Sequence, residues 1–226
     1  MDIRTIEILE SYDFDIKILD LVKKDIEGIL DMSRFTCLEE LNCSFNKIKS
    51  LVNLPITIRL INCNYNLIEK LDNLPDSLTI LYCFQNKLTK LDNLPNNLVE
   101  LYCANNLIKN LDFLPVSLEI LNCTNNQIES IDYLPNRIKN LTCTNNSIEK
   151  LDCLPLSITS LNCSFNKIKT LDNLPNGITL LICTHNLIKS LENLPISIKD
   201  LKCQSNKISL KVNFTLMYPN LKVISY

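Results

Sequence analysis

The sequence contains almost none of the residues on which helices and phosphate-binding loops depend. It has one alanine, Ala104, and two glycines, Gly28 and Gly177, in 226 residues. Because alanine is the strongest helix former, its scarcity argues against a helix-rich protein. Two isolated glycines also leave no Walker or dinucleotide-binding fingerprint. These absences exclude many common nucleotide-dependent enzymes.

Histidine, excess charge and long apolar runs are equally scarce. His185 is the only histidine, which limits metal binding and acid–base catalysis. The 23 basic and 25 acidic residues give a formal charge of −2, without the basic excess typical of proteins that bind nucleic acid or anionic membranes. No apolar stretch approaches the roughly 18 residues of a membrane span, and acidic residues make the N-terminus unlike a signal peptide. We therefore expect no nucleic-acid partner, no membrane partner and no cofactor.

What the sequence has in abundance is a repeat of 20 residues. Cysteine recurs nine times at this interval, from Cys43 to Cys203, and asparagine follows each cysteine three residues later. Leu or Ile lies two residues before each cysteine, and a Leu-Pro pair recurs from Pro55 to Pro195. The unit reads L-x-C-x-x-N-x-[IL]-x-x-[LI]-x-x-L-P-x-x-[LI]-x-x. A short fixed period of this kind indicates a solenoid.

This unit resembles the leucine-rich repeat, whose hallmark is L-x-x-L-x-L-x-x-N/C-x-L. Its length and its L-P-x-x-L-x-x-L segment are similar to the short repeats of bacterial secreted effectors and of proteins encoded by giant DNA viruses. The resemblance covers about residues 16 to 226. It implies a fold and leaves the function open.

The residues predict the same architecture without the family name. In Leu41-Asn42-Cys43 the first and third side chains point inward and Asn42 points outward, so each repeat adds one strand to a parallel sheet. Asn46 leaves the strand, where its amide can bond to backbone groups of the bend and of the adjacent repeat. Proline in the returning segment disfavours helix. We predict a β-rich solenoid of about eleven repeats, with a curved parallel sheet on the concave side, an extended or turn-like convex side and few or no helices.

Both ends of the chain depart from the period. An amphipathic helix over residues 16–30 is a competing interpretation of the first, degenerate repeat. Near the C-terminus Leu221, Ile224 and Tyr226 fit a last strand, and three further residues are expected to help close the core: Phe214, Met217 and Tyr218. We predict an N-terminal cap at 1–15, a degenerate repeat at 16–40, regular repeats at 41–210 and a C-terminal capping repeat at 211–226.

The eleven cysteines are expected to be free thiols. Nine lie inward on neighbouring strands, where parallel Cβ directions oppose disulfide geometry, and the spacing offers no metal site. Cys37 and Cys153 lie off this ladder, and a reactive thiol at Cys153 is the one enzymatic alternative that the residues allow. Free thiols favour a reducing compartment, so we expect a cytoplasmic protein, in the host cell if it is viral or a translocated effector. The glycosylation sequons are then accidental: Asn42, Asn122 and Asn162.

The outward positions of the strands supply the candidate binding site. Aromatic and aliphatic residues gather there on neighbouring repeats: Tyr82, Tyr102, Phe84, Tyr65, Leu60 and Ile80. Exposed aromatic clusters are frequent binding hot spots, but cross-strand packing that stiffens the sheet gives the same pattern. The column of Tyr65 also contains Phe45 and Phe165, and these rings could instead turn into the bend.

A secondary patch joins Leu180 and Ile182, with His185 and Phe165 as candidate further members. Cross-strand packing is the preferred interpretation of this patch, and His185 alone is neither a catalyst nor a metal site. Convex lysines such as Lys47 and Lys169 are expected to form a solvated edge, with a site for an acidic partner as the alternative.

These features favour a non-catalytic module that binds a protein or peptide partner on the concave sheet face. The resemblance to effector and viral repeats implies a host-cell target. Two other functions stay open: a structural component that assembles with itself in a particle, and a substrate adaptor of a ubiquitin ligase. Homo-oligomer formation is likewise open.

Overall fold

The computed structural model describes residues 2–209 and 221–225. Within them the chain forms one short helix, α1 (Ile3–Glu10), followed by a succession of short strands. The strands are β1 (Ile18–Asp20), β2 (Glu27–Asp31), β3 (Glu40–Asn42), β4 (Lys47–Val52), β5 (Leu60–Asn62), β6 (Ile80–Tyr82), β7 (Glu100–Tyr102), β8 (Ile120–Asn122), β9 (Asn140–Thr142), β10 (Ser160–Asn162), β11 (Leu180–Ile182), β12 (Asp200–Lys202) and β13 (Lys222–Ser225). The predicted β-rich solenoid with few helices is confirmed.

The chain divides into two compact units, and each is described by itself. The first contains Met1–Ile108 with Phe113–Leu118, and the second contains Lys109–Asp112 with Glu119–Tyr226. In the first unit β1, β3, β5, β6 and β7 pair in parallel in that order. Strands β2 and β4 form a separate parallel pair on the returning side of the repeats.

In the second unit β8 to β13 pair in parallel in chain order. Neighbouring strands are in register at equivalent repeat positions, as Leu161 is opposite Leu181. The register shifts only in the last pair, between Leu201 and Lys202. Identical positions of successive repeats therefore form columns along each sheet.

Helix α1 lies within the predicted N-terminal cap. The Asp2 carboxylate caps it by accepting hydrogen bonds from the backbone N–H of Thr5 at 2.9 Å and from the Thr5 hydroxyl at 2.7 Å. Leu9 is buried on its inner side. Residues 16–30 contain β1 and the start of β2, so a helix over that segment is wrong. Their backbone groups pair with β3 and β4 rather than with one another.

The core consists of the inward residues of each repeat. In β3 and in β5 to β12, the middle residue and the cysteine that follows the strand are buried, as Leu81 and Cys83 are. Leu or Ile residues from the returning segment, such as Leu88 and Leu98, complete each layer. Burying these side chains is the main favourable term in the stability of the fold.

The returning segments are turns and extended backbone. In the repeat of Pro95, its carbonyl accepts a hydrogen bond from the Leu98 N–H at 3.1 Å, and the same turn recurs at Pro55, Pro75 and Pro115. Proline fixes φ near the value that such a turn needs and has no N–H to leave unpaired. The prediction of a turn-like convex side is confirmed.

An asparagine ladder joins consecutive repeats. Asn106 is buried, and its amide nitrogen donates to the carbonyls of Cys83 and Cys103, both at 3.0 Å. Its amide oxygen accepts from the backbone N–H of Leu88 at 2.9 Å. One side chain thus satisfies backbone groups of two repeats, as the sequence predicted.

The C-terminal end is described only in part. Strand β13 is present and pairs with β12. Phe214, Met217, Tyr218 and Tyr226 lie outside the described residues. Among residues 2–209 and 221–225, no helix has the length and apolar character needed to cross a membrane.

Candidate functional site: the open face of the sheet

The outward side chains of the first unit bring the predicted aromatic residues together. On β6 the middle residue Leu81 is buried, whereas Ile80 and Tyr82 point to the open face and are partly exposed. The same alternation places Leu60 on β5 and Tyr102 on β7. We call the following residues the aromatic cluster: Phe45, Leu60, Tyr65, Ile80, Tyr82, Phe84 and Tyr102.

Tyr82 and Tyr102 form the centre of the aromatic cluster. Their rings are stacked, with centroids 4.7 Å apart and planes inclined by 12°. The Tyr102 hydroxyl donates to Glu100 Oε2 at 2.9 Å. Burial, reinforced by this hydrogen bond and by the negative charge of Glu100, raises the pKa of Tyr102 to about 12. The pair is therefore a stacked aromatic platform beside a carboxylate.

A second group of rings lies where the chain leaves the strands. Phe45 stacks on Tyr65 with centroids 4.3 Å apart, and Tyr65 meets Phe84 edge-on at 5.0 Å. Phe45 is 46% exposed and Tyr65 is 41% exposed. The alternative in which these rings turn into the bend is therefore wrong.

The backbone explains why these rings point outward. Phe45 and Tyr65 have φ of 58° and 53°, and the equivalent residue of every regular repeat is also left-handed. This conformation favours Asn, which Asn105 supplies at the same position, and it is costly for bulky side chains. Aromatic residues at Phe45 and Tyr65 are thus not what the bend itself requires.

The sequence interpretation missed one contributor, Lys23. Its Nζ lies 5.3 Å above the centre of the Phe45 ring. Lys23 is the left-handed residue of the degenerate first repeat, with φ of 55°. The 22-residue step from Lys23 to Phe45 was the signal that could have revealed it.

The second unit contains the secondary patch. Leu180 and Ile182 are outward and partly exposed on β11. His185 stacks on Phe165, with ring centroids 4.1 Å apart and planes inclined by 11°. The structure thus pairs His185 with Phe165, the other ring that the sequence interpretation had offered as a member of this patch.

The cysteines separate into buried and exposed groups. Nine are buried on the ladder, and Cys37 and Cys153 are exposed. Burial raises the pKa of the ladder thiols Cys63, Cys103 and Cys143 to about 12. In the part of the chain that the structure describes, no group of His, Cys, Asp and Glu residues is arranged to hold a metal ion.

Two of the convex lysines, Lys47 and Lys169, are engaged in surface ion pairs. Lys47 Nζ lies 2.6 Å from Glu27 and 3.0 Å from Asp25, and Lys169 Nζ lies 2.8 Å from Glu149. These contacts fit a solvated edge, since each lysine already has an acidic neighbour.

Known structures share this architecture. YopM from Yersinia enterocolitica superposes on 83% of the chain with a TM-score of 0.74 and 31% identity. YopM of Yersinia pestis, described as a leucine-rich effector protein, superposes on 85% with a TM-score of 0.68 and 26% identity. The chain is a leucine-rich repeat solenoid. It spans 41% of the length of the first of these leucine-rich repeat proteins and 64% of the second.

A third leucine-rich repeat structure shares the cysteine feature. It is the functional domain of InlJ from Listeria monocytogenes, described as including a cysteine ladder, with 26% identity and a TM-score of 0.67. It covers 91% of this chain, which spans 52% of that domain. No protein-family model matches the sequence, and no curated protein matches it significantly.

Proposed function

We propose that this leucine-rich repeat chain is a non-catalytic interaction module that binds a protein or peptide on the open face of its sheet. The aromatic cluster is the proposed contact surface. The observation that carries the proposal is that Phe45 and Tyr65 stay 46% and 41% exposed although each is stacked on the other. A partner that covers them would remove this apolar area from water.

Stiffening of the sheet is a weaker explanation of the aromatic cluster. Cross-strand packing accounts for Tyr82 and Tyr102, which face each other in register. Stacking of Phe45 on Tyr65 offsets part of the cost of a bulky residue in the left-handed conformation, but it leaves the two rings 46% and 41% exposed. Rings held in place by one another lose little conformational entropy when a partner binds.

The similar structures support an interaction role in general, without indicating the partner or the binding surface. Leucine-rich repeat proteins are generally non-catalytic scaffolds that bind proteins, and one of the similar structures is described as an effector. By analogy of fold, we propose a target inside a host cell and a cytoplasmic location. The eleven free thiols are consistent with a reducing compartment.

The secondary patch is proposed as a minor contact. Leu180 and Ile182 are aliphatic, and the ring contact of this patch is between Phe165 and His185. The secondary patch therefore presents less aromatic surface than the aromatic cluster. We expect Ile182→Ser to weaken partner binding less than Tyr82→Ser does.

A paired capture experiment tests the proposed function. Wild-type protein and a triple variant with Tyr82→Ser, Tyr102→Ser and Phe84→Ser are used as baits in reducing lysate of the source or host cell, followed by mass spectrometry. The matched control replaces three threonines in the same columns of the second unit, Thr124, Thr142 and Thr144, with serine. Circular dichroism establishes that each bait is folded.

We expect a specific partner with the wild type and the control but not with the triple variant. Equal recovery by all three baits would move the binding surface away from the aromatic cluster. Absence of any partner, together with concentration-dependent growth of particles in light scattering, would favour a self-assembling structural component. Recovery of ubiquitin-ligase subunits by all three baits would favour an adaptor that uses another surface.

A further inference from the structure

The open face of the first unit is acidic around the aromatic cluster. Across β3, β5, β6 and β7, each taken with the three residues that follow, the only charged residues are Glu40 and Glu100. The equivalent positions on β8 to β12 in the second unit contain one acidic and one basic residue, Asp200 and Lys202. The aromatic cluster therefore lies on the face with a net negative charge.

The basic residues at the neighbouring edge do not cancel this charge. Lys17 Nζ lies 2.8 Å from the Glu39 carboxylate. The hydrogen bond and charge of Lys17, with a smaller contribution from Arg59, lower the pKa of Glu39. Lys17 and Arg59 thus stabilise the negative charge of Glu39, and they leave the charges of Glu40 and Glu100 on the open face.

Glu100 lies directly beside the central platform. One of its oxygens accepts the Tyr102 hydroxyl hydrogen bond at 2.9 Å. A carboxylate can accept about four hydrogen bonds, so this single bond leaves capacity for donors from another molecule. A flat pair of aromatic rings next to a carboxylate matches a planar cation, which stacks on the rings and donates to the oxygens.

The protein already places one of its own cations on this set of rings. The Lys23 ammonium lies over Phe45, which stacks on Tyr65 of the same column, and Tyr65 in turn meets Phe84 of the adjacent column. Within the first unit, the column of Tyr82 and Tyr102 contains no lysine, since Asp20, Asn42 and Asn62 precede the pair.

We propose that the Tyr82–Tyr102 pair and Glu100 bind arginine side chains from an extended basic segment of the protein partner. The inference deepens the proposed function and rests on it. A guanidinium stacks on the outer ring surface and donates to Glu100, and Glu40 attracts a second basic residue three repeats from Glu100. Arginine fits better than lysine because its planar group both stacks and forms paired hydrogen bonds with a carboxylate.

Three labelled peptides of identical length test this specificity. Each has nine residues with a serine and glycine framework, and three alternate positions are arginine, lysine or citrulline. Citrulline has the shape of arginine without its charge. Binding to the full chain is followed by fluorescence anisotropy at low ionic strength, with salt titration as a second reading.

We expect the arginine peptide to bind about tenfold more tightly than the citrulline peptide and more tightly than the lysine peptide. Glu100→Gln keeps an acceptor for the Tyr102 hydroxyl but removes the charge, and we expect it to weaken arginine binding about fivefold. The matched control is Asp200→Asn, which removes a carboxylate from the same column in the second unit. We expect this control to bind like the wild type.

Equal binding of the arginine and citrulline peptides would overturn the inference, as would equal effects of Glu100→Gln and Asp200→Asn. These results are distinguishable from failure of the proposed function. If the triple aromatic variant still loses its partner in the capture experiment, the open face is the binding surface and only the arginine specificity is wrong. If that variant keeps its partner, the proposed function itself fails.

Discussion

The rings of Tyr82 and Tyr102 stack because the two residues are direct partners in the parallel register of β6 and β7. A step of 20 residues, repeated without insertion, brings equivalent side chains to the same height on adjacent strands. The stack thus depends on the constant length of the repeat as much as on the two tyrosines. Any insertion between Tyr82 and Tyr102 would separate the rings.

The stability of the protein at alkaline pH should depend on Tyr102. Its pKa is raised from 10.0 to about 12 in the folded protein. The unfolded chain therefore loses the phenolic proton at lower pH than the folded chain does. The stabilisation is complete below the unfolded pKa and is lost as the pH rises from there through the folded pKa. Urea unfolding at increasing pH should show this loss in the wild type and a smaller one in Tyr102→Phe. Identical pH dependence in both proteins would contradict the raised pKa.

Removing one member of the asparagine ladder should destabilise the fold strongly. Asn106→Ala leaves the carbonyls of Cys83 and Cys103 and the N–H of Leu88 without their partner. We expect a loss of roughly 3 kcal/mol in the free energy of unfolding, because buried backbone groups stay unsatisfied. Urea denaturation followed by circular dichroism measures this loss. Asn96→Ala, at an exposed asparagine of the turn, is the control and should change stability little; similar losses in both variants would argue against the ladder.

Only two thiols should react in the native protein. The nine ladder cysteines are buried, and burial raises the pKa of members such as Cys103 and Cys143, whereas Cys37 and Cys153 are exposed. Thiolate is the reactive form, so alkylation at mildly alkaline pH should modify two of eleven cysteines natively and all eleven after denaturation. Counting labels by mass spectrometry gives the result directly. Cys37→Ser with Cys153→Ser should reduce native labelling to zero, and rapid modification of ladder thiols would contradict the buried assignment.

The stability of the protein should depend on which side chain occupies the left-handed position of a repeat. Gln85 has φ of 54° and is exposed, so its replacement changes the backbone preference more than the packing. Gln85→Val should cost about 1–2 kcal/mol in the free energy of unfolding, because a branched Cβ crowds the neighbouring carbonyl in this conformation. Gln85→Asn should be neutral or slightly stabilising. Equal stability of the two variants in urea would show that the bend does not constrain this residue.

The sequence by itself determined the solenoid. Leu81 and Cys83 alternate with Tyr82 along a strand, and Asn86 follows at a fixed distance. Pro95 prevents a helix in the returning segment. Each of these local preferences recurs at the same position of every regular repeat. Because every repeat packs on its neighbours, local preferences that repeat in phase are sufficient to specify the architecture. The aromatic residues of the first unit could be placed on one face for the same reason.

The tertiary structure decided what the pattern left ambiguous. Helix α1 depends on the Asp2 cap, a contact that the sequence analysis did not reveal when it predicted only a cap at residues 1–15. The outward direction of Phe45 and Tyr65 follows from a left-handed backbone, which repeat spacing does not encode. Lys23 contacts Phe45 although the two residues are 22 positions apart, a step that differs from the regular 20-residue period. Periodicity specifies which side chains share a column, whereas ring contacts and the hydrogen bond from Tyr102 to Glu100 depend on rotamers and neighbouring charge that only folding fixes.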